Sequence, residues 1–146
     1  MSVNQALFKL GLVIYGFSFL LVATGATSPV GRLMGFECAY FVVRLPLTDT
    51  PFSPSSAFYD PPLLYFSILI SGLINPVFLA YATLAGLKRK PQIARVLKFA
   101  LLSMIPFCWV VFYFLAVYPR EGHVLCVTGM LLVLFSTWKQ VATEAA

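Results

Sequence analysis

Covalent or metal chemistry in this chain would have to come from few residues: three cysteines, Cys38, Cys108 and Cys126, and one histidine, His123. Glu37 stands beside Cys38, Arg120 and Glu121 lead into His123, and the step of three from His123 to Cys126 puts both on one helical face. A thiol nucleophile with an imidazole base, or a metal held by His123, Cys126 and a loop ligand, would use these groups. The spacing argues against both. There is no CxxC pair and no zinc pattern, a single histidine cannot hold a haem from both sides, and scattered cysteines lack the pairing that disulfide-forming enzymes need. The expectation is no metal and no cofactor, with His123, Arg120 and Glu121 solvated at headgroup level and the cysteines acting as small apolar packers. A Cys38–Cys126 disulfide is expected only if both thiols meet in an oxidising compartment.

The stretch Ser71-Gly72-Leu73-Ile74-Asn75-Pro76 carries a different kind of chemistry. Pro76 lacks an N–H and strikes the carbonyl at Gly72, so a kink is expected, and the freed carbonyl needs a donor that lipid cannot supply. On a helical wheel Ser67, Ser71, Asn75, Ala82 and Gly86 share one sector. Small residues with one amide make a helix–helix seam or a binding site, and Asn75 is expected inside the bundle, away from lipid. Pro106 predicts a second bend.

These residues must be held by helices in lipid. The chain has 146 residues, 60% hydrophobic and 10% charged, more apolar surface than a soluble domain of this size can hide. We read an all-α integral membrane protein, one domain of four transmembrane helices at about 10–27, 63–87, 99–118 and 124–142. The first run competes with a cleaved signal peptide, but an uncleaved span is expected. The third helix is expected to start early, with Pro91 in its first turn and Arg95 and Lys98 at headgroup level. None of the four spans carries an ionisable residue of the kind a proton-coupled carrier needs, and no repeat marks transporter architecture.

Charge sets the orientation. Half of the ten basic residues lie between Lys88 and Lys98, and with Lys9 and Lys139 they fall on one side of a four-span bundle, which predicts both termini in the cytoplasm. Lys88, Arg89, Lys90, Arg95 and Lys98, in a cytoplasmic loop at 88–98, are expected to contact anionic lipid headgroups; the net charge of +5 is read this way and not as nucleic-acid binding. The opposite side receives a long outer loop at 28–62. Its part 31–45 fits a short interfacial helix, although the β-branched stretch at 40–43 would equally allow a strand, and 46–62 reads as an irregular cap.

No motif specifies a family. The first functional expectation is a non-enzymatic multi-pass protein, in a bacterial inner membrane, that binds another membrane protein as an accessory, assembly or immunity-type factor. Ser67, Ser71, Asn75, Pro76, Arg32, Glu37, Arg44 and His123 are the candidate contacts. An oligomeric channel or transporter comes second, and a membrane enzyme with an outer-face site around Cys38 and His123 third.

Overall fold

The computed structural model describes residues 3–26, 32–44, 62–114 and 117–137, and these are mostly helical. The cap expected at 46–61 and the extension of the last helix to 142 lie outside the described residues.

The first apolar run does not form one helix. Helix α1 covers Val3–Ser18, and the backbone then tightens through three-residue hydrogen bonds from Phe19, Leu20 and Leu21 to the carbonyls of Gly16, Phe17 and Ser18. Val22–Ala26 becomes strand β1, a sequence whose Val22, Thr24 and Gly25 are poor helix formers. Strand β2 (Leu33–Met34) pairs antiparallel with one edge of β1, and β3 (Val117–Pro119) with the other, aligning Thr24 with Pro119 and Ala26 with Val117. The all-α expectation is corrected here. Strands of two to five residues are too short to print an alternating pattern.

Helix α2 (Gly35–Arg44) follows β2 directly. Glu37 at its third position turns back to accept a hydrogen bond from the Met34 N–H at 2.8 Å, half of a capping box. The N–H groups of Gly35 and Phe36 donate to the carbonyls of Leu21 and Phe19, so the start of α2 satisfies the end of α1.

Helices α3 (Pro62–Gly86) and α4 (Pro91–Phe114) have 25 and 24 residues and run through Pro76 and Pro106 respectively. Both contain a stretch long and apolar enough to cross a membrane, Phe66–Gly86 and Pro91–Tyr113. Helix α5 (Glu121–Ser136) has 16 residues, as does α1; at 1.5 Å per residue each is about 24 Å long, below a hydrocarbon thickness of about 30 Å.

The link from α3 to α4 is short because α3 ends in a Schellman turn. Lys88 takes the left-handed position (φ 51°), its N–H bonds to Ala85, and the Arg89 N–H reaches Leu84. Lys88, Arg89, Lys90 and Arg95 are exposed. Lys98 is not: its side chain is buried, because it shares the inward stripe of α4 with Ala94, Leu101 and Cys108. The expected headgroup contact of Lys98 is corrected accordingly.

α1 packs most extensively on α5, and α3 on α4. Phe8 of α1 lies against Gly86 at the end of α3, Tyr15 bonds to Asn75, and Tyr81 hydrogen-bonds Thr137 just after α5. These contacts set α1 antiparallel to α3, put the ends of α3 and α5 together, and bring the start of α1, the α3–α4 turn and the end of α5 to one end of the bundle. The sheet closes the other. Phe78, Tyr81, Leu101 and Val133 are wholly buried between them.

Candidate functional site

At the sheet end the helices do not close completely. They surround a cavity of about 120 Å³. Cys38 reaches it from α2, Cys108 from α4 and Cys126 from α5, so thiols scattered in sequence converge in space. Ser71 and Asn75 of α3 line it, as does His123 of α5. The remaining wall is mostly apolar, and among the described residues no Asp, Glu, Lys or Arg contributes to it.

His123 stands where solvation was expected and is half-buried. Its ring packs edgewise on Phe112 (4.4 Å between centroids) and Trp109 (5.6 Å), and its Nε2 is buried with no hydrogen-bond partner. The cause is the glycine before it. A methyl group on Gly122 would come within 2.9 Å of the Leu21 carbonyl and 3.0 Å of that of Ser18, so only glycine lets the start of α5 slide under the α1–β1 turn and carry His123 inside.

Among the described residues, Ser71 Oγ is the other buried polar atom without a hydrogen-bond partner. The Cys108 thiol is beside it, without hydrogen-bonding geometry. Leaving such a group dry costs about 1–3 kcal/mol, and both atoms are closed off by the packing around them. Asn75 already has one partner, since Tyr15 Oη donates to its Oδ1 at 3.0 Å. Interhelical hydrogen bonds in membranes average about 0.6 kcal/mol. Tyr15→Phe should therefore lower the unfolding free energy by roughly that amount in a detergent titration, a small loss despite the burial of the pair.

The other sequence candidates separate from this group. Ser67 is buried but donates to its own helix, to the Leu63 carbonyl at 2.6 Å. Glu37 is occupied in capping α2, Pro76 and Arg32 are exposed, and Arg44 turns to the Tyr40 hydroxyl at 3.4 Å on the surface. Arg120 and Glu121 pair with each other at 3.2 Å, both well exposed, an arrangement worth little. Tyr15, Thr24 and Phe112 were not picked out as site residues from sequence, yet Tyr15 orients Asn75 and the other two line the cavity. A tyrosine hydroxyl inside an apolar run was the available signal for the first.

All three cysteines are free thiols, and Cys38 and Cys126 are not bridged. Among the described residues no group of three or more His, Cys, Asp or Glu is arranged to hold a metal. Burial, aided by the neighbouring Cys108, pushes the Cys38 thiol up to about 11. Thiolate at pH 8 is then over a hundredfold scarcer than for an ordinary thiol near 8.5, and the greater nucleophilicity of a basic thiolate returns only about tenfold. Cys38 should react with N-ethylmaleimide roughly tenfold more slowly than free cysteine at pH 8, with a rate still climbing at pH 10 where free cysteine has levelled off. Peptide-resolved mass spectrometry of the alkylated protein reads both.

The fold and site define a mostly helical protein with two helices of membrane-crossing length and a mostly apolar cavity beside its small sheet. Comparison with protein-family models, curated proteins and solved structures finds no match to this chain.

Proposed function

We propose that this is a four-span protein of a bacterial inner membrane, with both termini in the cytoplasm, that works by binding a small lipid-soluble molecule and not by catalysis. The observation that carries the reading is the mostly apolar cavity at the sheet end, lined by Ser71, Asn75 and His123 among apolar side chains. Pockets for small molecules combine this same apolar wall with a few placed polar groups. Orientation is supported by the exposed Lys88, Arg89 and Lys90 at the end where the α1 and α5 termini also lie. The short α1 is continued by the turn and β1, whose two edges are both paired, so its backbone polar groups are largely satisfied near lipid. Binding is favoured over thiol catalysis because burial keeps Cys38 protonated.

The test is solvent extraction of protein purified from its native membrane in mild detergent, with Val127→Phe as the variant that fills the cavity wall. A small apolar compound should accompany the wild type in near-stoichiometric amount and be missing from folded Val127→Phe. Equal recovery from both, or none from either, would overturn the reading.

A further inference from the structure

One amide on the cavity wall narrows the chemistry of the occupant, an inference that rests on the binding function just proposed. Asn75 lines the space from α3, one residue before Pro76. Its carbonyl half is taken: Tyr15, a buried residue of α1, donates from Oη to Asn75 Oδ1 at 3.0 Å. That bond draws the amide inward from α3 and fixes which way round it lies. Among the described residues Asn75 Nδ2 donates to nothing, and it is not one of the closed-off atoms, which are Ser71 Oγ and His123 Nε2. Its two N–H groups therefore stand open with no protein acceptor.

The rest of the wall sets the other limits. Ile68, Ile74, Val111 and Val127 present apolar surface, and among the described residues no Asp, Glu, Lys or Arg lines the space, so an ionised occupant would go uncompensated. A carbonyl oxygen accepts from an amide without carrying a charge. We propose that the cavity binds a neutral, carbonyl-bearing, lipid-soluble molecule, a ketone, ester or quinone by class, whose oxygen accepts a hydrogen bond from Asn75 Nδ2. Tyr15 is the positioning residue, because by holding Oδ1 it leaves the donor half of the amide for the ligand. The cavity is partly open, so the apolar body of the ligand can extend beyond it.

Acetophenone and α-methylstyrene are the probes, a pair of one shape in which a methylene replaces the carbonyl oxygen. Asn4 and Asn75 are the only asparagines, so full-length protein carrying nitrogen-labelled asparagine gives two side-chain amide signals in a magnetic resonance spectrum, and Asn4→Gln tells them apart. Acetophenone should move the Asn75 signal downfield, and α-methylstyrene should not. Occupancy by either probe is read as protection of Cys126, on the same wall, from N-ethylmaleimide at alkaline pH. Comparing each variant with wild type for the same probe cancels the partitioning of that probe into detergent. Asn75→Leu should raise the half-protecting acetophenone concentration about fivefold, the loss of one hydrogen bond, and move the α-methylstyrene value less than about twofold. Tyr15→Phe keeps the amide but frees it to turn; it should raise the acetophenone value about threefold with little change for α-methylstyrene, and it serves if Asn75→Leu does not fold. Equal shifts for the two probes in these variants, or an Asn75 signal that stays put at protecting concentrations of acetophenone, would overturn the carbonyl recognition and leave an unselective apolar cavity. If neither probe protects Cys126 in the wild type, the binding function itself falls.

Discussion

Gly129→Ala should destabilise the protein by about 3 kcal/mol, the upper part of the range for overpacking a tight contact. The added carbon would sit 2.6 Å from the backbone nitrogen of Tyr15 and 2.8 Å from the Gly11 carbonyl, and neither backbone atom can swing aside. α1 and α5 would have to separate along their whole crossing. A methyl added at Gly11 would likewise come within 2.9 Å of the Gly129 carbonyl, so the two helices approach closely through glycines on both sides. Gly16 provides the control: nothing lies within 4 Å of its would-be methyl, and Gly16→Ala should be neutral or gain about 0.5–1 kcal/mol from helix propensity. Unfolding midpoints in a denaturing-detergent titration distinguish the two. Equal effects at both positions would mean that the crossing is looser than the structure has it.

Phe78→Ala is the second large effect, at about 3 kcal/mol. Phe78 is completely buried, with its ring 4.4 Å from that of Tyr15, and it joins α3 to the α1–α5 pair. On the membrane placement proposed above this loss is one of packing, since hydrocarbon solvates a phenyl group as well as the core does. Phe66→Ala at an exposed position of the same helix should cost little. The comparison, read by thermal unfolding in one detergent, separates burial from hydrophobicity.

How much of this was legible depends on whether the information was local. α3 announces itself by an apolar run between Pro61-Pro62 and Lys88-Arg89-Lys90, and the helix covers Pro62–Gly86. α4 begins at Pro91, where a proline costs no helical hydrogen bond, and a helix fills Gly35–Arg44 where the outer segment allowed either helix or strand. β1 was hidden because an apolar stretch reads alike as helix or strand, and what decides it is the presence of β2 and β3 at its edges. The site was hidden for the same reason. Arg120 and Glu121 point to water and made their neighbour His123 read as solvated, while the close fit of Gly122 under distant carbonyls turns it inward. Convergence of Cys38, Cys108 and Cys126 is a product of packing between α2, α4 and α5, which spacing along the chain does not encode.

The pairing of α1 with α5 also sets a timetable. Residues 3–18 leave the ribosome about a hundred residues before 121–136, an interval of roughly 5–20 s at ordinary rates of synthesis. During that interval α3 and α4, separated by a four-residue link, can dock as a hairpin, while the glycine face of the first helix waits for a neighbour not yet made. A nascent chain stopped after Phe114 would present that face to the surrounding bilayer, and membrane proteases that survey half-built proteins should clear it faster than the finished chain. The later-made helix is thus the one that locks the earlier.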